Sequence, residues 1–156
     1  MIFVAGIGSL LNASGINEHG LSRKYVTSDV ASARLVGYLR CYNATDKDGI
    51  RYLGLLKDPG SYLNVGLFQL DVRDVFALCN AEGFFPTKAE LYDLTEVTSH
   101  IRDFKLNRGD HVYSFVTRTP NDGGKVSAEY VSEVARLAAD HGPYFAREFT
   151  RTTRSY

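Results

Sequence analysis

Short apolar runs separated by polar or glycine-bearing turns dominate the chain, and this pattern predicts more strands than helices. Ile2–Ala5 reads as a first strand that ends in a glycine turn, Gly6-Ile7-Gly8-Ser9. A polar stretch without strong periodicity follows from Asn12 to Ser32. Leu35–Asn43 and Arg51–Leu56 predict strands joined by a turn at Asp46, Asp48 and Gly49, and Leu63–Leu70 predicts another, entered through Asp58-Pro59-Gly60-Ser61. Gly37, Gly54 and Gly66 interrupt these runs and predict bulges or close backbone approach, as in a small curved barrel.

Asp71 is placed to cap a helix over Val72–Ala81, closed by Gly83. Two further strands are expected near Glu90–Val97 and His111–Thr117, with a turn region at Arg118–Gly124. Ser127 then caps a helix that carries Tyr130, Val134, Leu137 and His141 on one face. Gly142-Pro143 stops it, and a last short helix runs from Tyr144 to about Thr150. Strands outnumber helices without alternating strictly with them. The expected class is α+β, a small mixed β-barrel or sheet with flanking helices, not a doubly wound sheet.

Length narrows this to one domain spanning 1–156. Hydrophobic residues make up 44% and charged residues 23%, an ordinary globular balance. Eighteen basic and eighteen acidic side chains cancel, so no global field favours nucleic acid or an anionic membrane. The opening MIFVAGIGSLLNASG lacks a basic leader and is broken by Gly6 and Gly8, and no stretch reaches transmembrane length. A soluble, cytoplasmic protein is expected. Cys41 and Cys79 are too few for a disulfide framework or a cysteine zinc site. His19, His100, His111 and His141 lack metal-ligand spacing, so no metal is expected; His141, in the last turn of its helix, reads as a dipole contact.

Two features carry candidate chemistry. On a helix over Val72–Gly83, Val72, Val75, Leu78 and Cys79 share one side, and Glu82 projects from that same side. Poor solvation there would raise the carboxyl pKa and suit it to exchange protons near neutrality. The plainer alternative is a side chain that reaches water or an arginine at a helix end. The second feature is the turn Gly6-Ile7-Gly8-Ser9-Leu10-Leu11, whose consecutive backbone N–H groups can converge on an anion. A dinucleotide fingerprint would need glycine at Leu11, a phosphate loop would need a lysine, and a nucleophile elbow would need a glycine two residues past Ser9. What remains is an anion nest or simply a tight turn.

Taken in order, four segments resemble the gamma-glutamyl cyclotransferase-like family. FVAGIGSLLN is similar to that family's opening strand and Tyr-Gly-Ser-Leu loop, and SARLVGYLRCYN to its second segment. YLGLLKDPGSYLNVGLFQLDVRDVFALCNAEGFF resembles the strand–helix unit that ends in the catalytic glutamate, and HGPYFAREFTRTT the C-terminal helix. The resemblance spans Phe3 to about Thr153. It implies a small α+β barrel, with Ile7, Gly8, Ser9 and Leu10 as the substrate loop, Glu82 as catalytic acid/base, and Tyr144 as a site-facing tyrosine. It also implies a small gamma-glutamyl substrate cyclised to 5-oxoproline with no cofactor. A non-catalytic protein of the same fold, binding a small anion or a protein partner in the cavity, is the alternative. Three positions depart from the family pattern: Ile7 replaces the loop tyrosine, Cys79 stands where aspartate is common, and Phe85 replaces a tyrosine.

Overall fold

The first strand lies inside the sheet, not at its edge. In a computed structural model, which describes residues 1–79 and 91–155, β1 (Ile2–Gly6) pairs antiparallel with β3 (Ile50–Leu70) and parallel with β6 (His111–Thr117). Two strand partners exclude solvent from its backbone and account for its central place. Outward from that pair lie β4 (Tyr92–Glu96) beyond β6, and β2 (Val30–Thr45) then β5 (Ile101–Arg102) beyond β3. Short strands β7 (Lys125–Val126) and β8 (Thr153–Ser155) add parallel ladders to β3 and β2. The result is one mixed, curled sheet, a half-barrel flanked by α1 (Ala13–Ile16), α2 (Val75–Cys79), α3 (Ala128–Ala139) and α4 (Pro143–Arg151).

Long strands must bend to wrap a core, and β2 and β3 show how. Their ladder slips between Val36↔Tyr62 and Tyr38↔Lys57: β2 advances two residues there while β3 uses five. Opposite the excess, Gly37 takes a left-handed φ of 83°, a conformation that suits glycine. Asp58-Pro59-Gly60-Ser61 therefore swells outward within one strand, where the sequence predicts an entry turn between two. The far end of the β2–β3 hairpin curls over β4 and β6. Tyr92 donates to the Leu53 carbonyl (2.7 Å), and Thr117 Oγ1 to Asn43 Oδ1 (2.7 Å). Gly54 permits that approach, since a Cβ there would stand 1.8 Å from Thr117 Oγ1.

The helix expected over Val72–Ala81 begins as a 3₁₀ turn at Val72–Asp74 and is α-helical from Val75 to Cys79, the expected end at Ala81 and Gly83 lying outside the described residues. A tighter first turn rotates its residues, so Val72, expected on the apolar side, is exposed, and Asp74 is buried. Asp74 is satisfied by the Ser22 amide (3.0 Å) and hydroxyl (2.7 Å). Asp71 does cap the turn, accepting from the Arg73 amide. Ser127 caps α3 as the sequence predicts, accepting from the Tyr130 amide.

Candidate functional site

The chain leaves β1 through Gly6 and folds back on itself at once. A Cβ at Gly6 would lie 2.0 Å from the Leu10 carbonyl oxygen, so glycine alone allows this tight return. The Leu11 amide closes the turn on the Gly8 carbonyl (3.1 Å). Asn12 then caps α1 and anchors the turn's exit, donating to the Leu137 carbonyl (2.8 Å) and Asp140 (3.0 Å) of the α3 end. His141 Nε2 donates to the Leu11 carbonyl, and its ring stacks on Phe145 at 4.2 Å. This histidine is a tether between segments, where the sequence reading had a helix-dipole contact.

Ile7, Gly8, Ser9 and Leu10 line one narrow cavity that opens to solvent. Across from them stand Leu53 of β3, Tyr92 of β4, and Ser114 and Phe115 of β6, with Tyr130 of α3 at one side. The Tyr130 hydroxyl sits closest to the turn: a Cβ at Gly8 would lie 3.0 Å from it. Edge-on contacts with Tyr42 (6.3 Å) and Tyr52 (5.2 Å) fix its ring. The Ser114 hydroxyl donates to the Ala5 carbonyl (2.7 Å), holding β6 to the base of the turn. The four loop residues singled out in the sequence are thus brought together at one cavity.

Tyr144 is not. It is 71% exposed and borders a separate depression with Arg34, Tyr62 and Glu148. Helix α4 buries Phe145 and Phe149, one turn apart, and the neighbouring position therefore faces outward. Glu82 and Phe85 lie outside the described residues. Helix α2 is described as far as Cys79, and Leu91 stands immediately before the cavity-lining Tyr92. Cys79 borders an apolar groove with Ile2, Val4 and Leu70.

Sequence reasoning missed Tyr130, which reads as one more apolar-face residue of α3, and it missed Arg40. Arg40 is fully buried beneath the turn. Its Nη1 donates to the carbonyls of Ile7 (3.3 Å) and Asn64 (2.9 Å). Its Nη2 reaches Asn64 Oδ1, the Phe149 carbonyl and Thr152 Oγ1, and its Nε reaches Thr153 Oγ1. The guanidinium lies 4.0 Å from the Phe149 ring centroid. Among the described residues no carboxylate pairs with it. Burial pushes its pKa down to about 9, which still leaves it charged at neutral pH. The available signal was a single arginine inside the apolar run LVGYLRCYN.

Among the described residues no group of three or more His, Cys, Asp or Glu side chains could hold a metal ion, and no helix is long and apolar enough to cross a membrane. No protein-family profile matches the chain, and no curated relative matches it in sequence. Solved structures do. A gamma-glutamyl cyclotransferase superposes with TM-score 0.70 at 12% identity, covering 96% of this chain and 86% of that one. YkqA from Bacillus subtilis gives TM-score 0.68 at 18% identity over 96% of this chain, which spans about half (53%) of YkqA. The uncharacterized protein loc79017 from Homo sapiens gives TM-score 0.68 at 14% identity, covering 96% and 86% of the two chains. At these identities the likeness is one of fold.

Proposed function

We propose, for a chain that carries the gamma-glutamyl cyclotransferase-like fold, that it cyclises the glutamyl group of a gamma-glutamyl amine or peptide to 5-oxoproline and releases the free amine. The observation that supports this most is the convergence of Ile7, Gly8, Ser9 and Leu10 on one half-barrel cavity beside a tyrosine hydroxyl.

The chemistry needs few groups. The substrate's α-ammonium must lose a proton before its nitrogen can attack the γ-carbonyl. In this reading Glu82 accepts that proton. The new C–N bond closes a five-membered ring and places negative charge on the carbonyl oxygen. Backbone N–H groups of the Gly8–Leu10 turn bind either that oxyanion or the substrate's α-carboxylate. The tetrahedral centre then collapses: Glu82 returns its proton to the leaving nitrogen as the bond to it breaks, and the second proton of the ring nitrogen passes to the released amine, which departs as an ammonium while 5-oxoproline keeps a neutral lactam N–H. Atoms balance without water, metal or redox cofactor. Because attack is intramolecular, holding the folded-back conformer supplies much of the acceleration.

In this reading the Tyr130 hydroxyl takes over the hydrogen bonding that a loop tyrosine would provide, since buried Ile7 has none to give. That same aliphatic Ile7 favours a second reading, in which the cavity binds a small anion without turning it over. Incubation with a panel of gamma-glutamyl compounds, assayed for 5-oxoproline, separates the two. We expect turnover with at least one compound and a loss of about a hundredfold or more in kcat for Glu82→Gln, in line with removal of a general acid/base. Full activity in Glu82→Gln would overturn the assigned base, and saturable binding without product across the panel would favour the second reading.

A further inference from the structure

A charged side chain with no exposure is costly unless something compensates it, and among the described residues Arg40 is compensated by neutral oxygens and the face of the Phe149 ring. Its hydrogen bonds satisfy the guanidinium donors but leave its net charge uncancelled among the described residues. Positive potential therefore extends from the core toward the elements packed around it, the underside of the glycine turn among them. The contact with the Ile7 carbonyl gives that potential a direction. The described peptide bonds are all trans, and in a planar trans peptide the C=O and the following N–H point opposite ways. Since Arg40 draws the Ile7 carbonyl inward, the Gly8 N–H turns away from Arg40, and Gly8 lines the cavity.

We propose that Arg40 is a positioning residue of the glycine turn: it sets the Ile7–Gly8 peptide so that the Gly8 N–H faces the cavity, and its charge, which no carboxylate among the described residues cancels, makes that N–H a site for a carboxylate anion. A cation on the carbonyl side of a peptide also polarises the opposite N–H and strengthens it as a donor. A flexible surface lysine would give a screened, mobile field; a guanidinium locked by Asn64, Thr152 and Thr153 gives a fixed one that needs no reorganisation when the anion arrives. Asn64 is itself held by the Phe145 carbonyl (2.9 Å), so α4 helps to fix the charge under the turn. The role in catalysis rests on the placement of the substrate's anionic end at this turn, whereas the anion site itself does not.

The test uses acetate and acetamide, which share a shape and differ in charge, titrated into the ¹⁵N-labelled full chain at constant ionic strength. The Gly8 amide resonance is expected to shift saturably with acetate, with affinity about tenfold or more above that for acetamide, the margin of a charge-assisted hydrogen bond over a neutral one. The Arg40 guanidinium N–H resonances should move with the same midpoint. In Arg40→Met the preference for acetate should collapse, and Arg40→Lys, which keeps charge without the fork, should restore part of it. Equal affinity for the two probes in the wild-type chain would overturn the proposal without any variant. So would a Gly8 shift with unmoved Arg40 resonances, or an intact acetate preference in a folded Arg40→Met. Failure of the substrate panel with a positive acetate titration would reject the cyclotransferase reading and leave the anion site standing; turnover with no acetate preference would do the reverse.

Discussion

Cys41 and Arg40 are neighbours on β2, both fully or nearly fully buried, and their surroundings act on them in opposite senses. For Arg40 the burial leaves a charge in place. For Cys41 it keeps a charge from forming, pushing the thiol from 9.0 up to about 11. At pH 8 this leaves about a hundredfold less thiolate than an ordinary cysteine would have. Iodoacetamide at that pH should therefore leave Cys41 unmodified in the folded chain and label it in denaturant, as read by peptide mass; rapid native labelling would contradict its placement. The same shift links to stability. An unfolded thiol releases its proton near pH 9 while the folded one holds it to about 11, so the unfolded state gains and stability falls as pH rises through that window. Denaturant melts of Cys41→Ala should show a shallower alkaline loss than wild type. The sequence could not rank these two residues, because neighbours on a strand point to opposite faces, and only the packed structure shows that β2 is covered on both sides here.

At the scale of elements, the sequence was legible wherever local chemistry decides the outcome. The β1 strand with its glycine turn, the His111–Thr117 strand and the Ser127 cap were all written in nearest-neighbour terms, and the structure has them. It was illegible where a distant partner decides. Asp58-Pro59-Gly60-Ser61 carries turn residues, yet β2 continues alongside and converts the turn into an outward swelling of β3. Val72–Asp74 departs from helical phase because Ser22, some fifty positions earlier, offers Asp74 two hydrogen bonds in the interior. The same division predicts how glycines respond to substitution. Gly66 faces the Leu11 carbonyl oxygen, 2.0 Å from where a Cβ would stand, and backbone cannot step aside. Gly66→Ala should cost about 3 kcal/mol or more. Gly60, in the swelling, has nothing within 4 Å and no left-handed φ, so Gly60→Ala should be neutral or stabilising by up to about 1 kcal/mol. Urea midpoints with unchanged m-values would measure both; a tolerated Gly66→Ala would mean that the turn does not press on β3 as described.

Across the whole molecule, the candidate cavity has no local origin. Its turn follows the first strand, its opposite wall comes from β3 and β6, Tyr130 closes one side from α3, and the charge beneath it is held by the segment around α4. A site assembled this way needs the complete sheet before any part of it exists, which is why the sequence could nominate the turn but not its surroundings. The topology also sets a kinetic expectation. In the β1–β6 ladder Ile2 pairs with His111, so the central strand gains its second partner only after a loop of more than a hundred residues has closed. Loop closure over that length must come before the contacts that repay it, and domains dominated by such pairings fold in roughly milliseconds to seconds, not microseconds. Stopped-flow dilution from urea should find refolding on that slower scale. Weakening the ladder from inside, as in Val112→Ala on buried β6, tests its timing: a slowed folding arm places the β1–β6 pairing in the transition state, and a faster unfolding arm places it after. Complete refolding in microseconds would mean that the sheet can form without first closing this loop, and the central place of β1 would then have to be wrong.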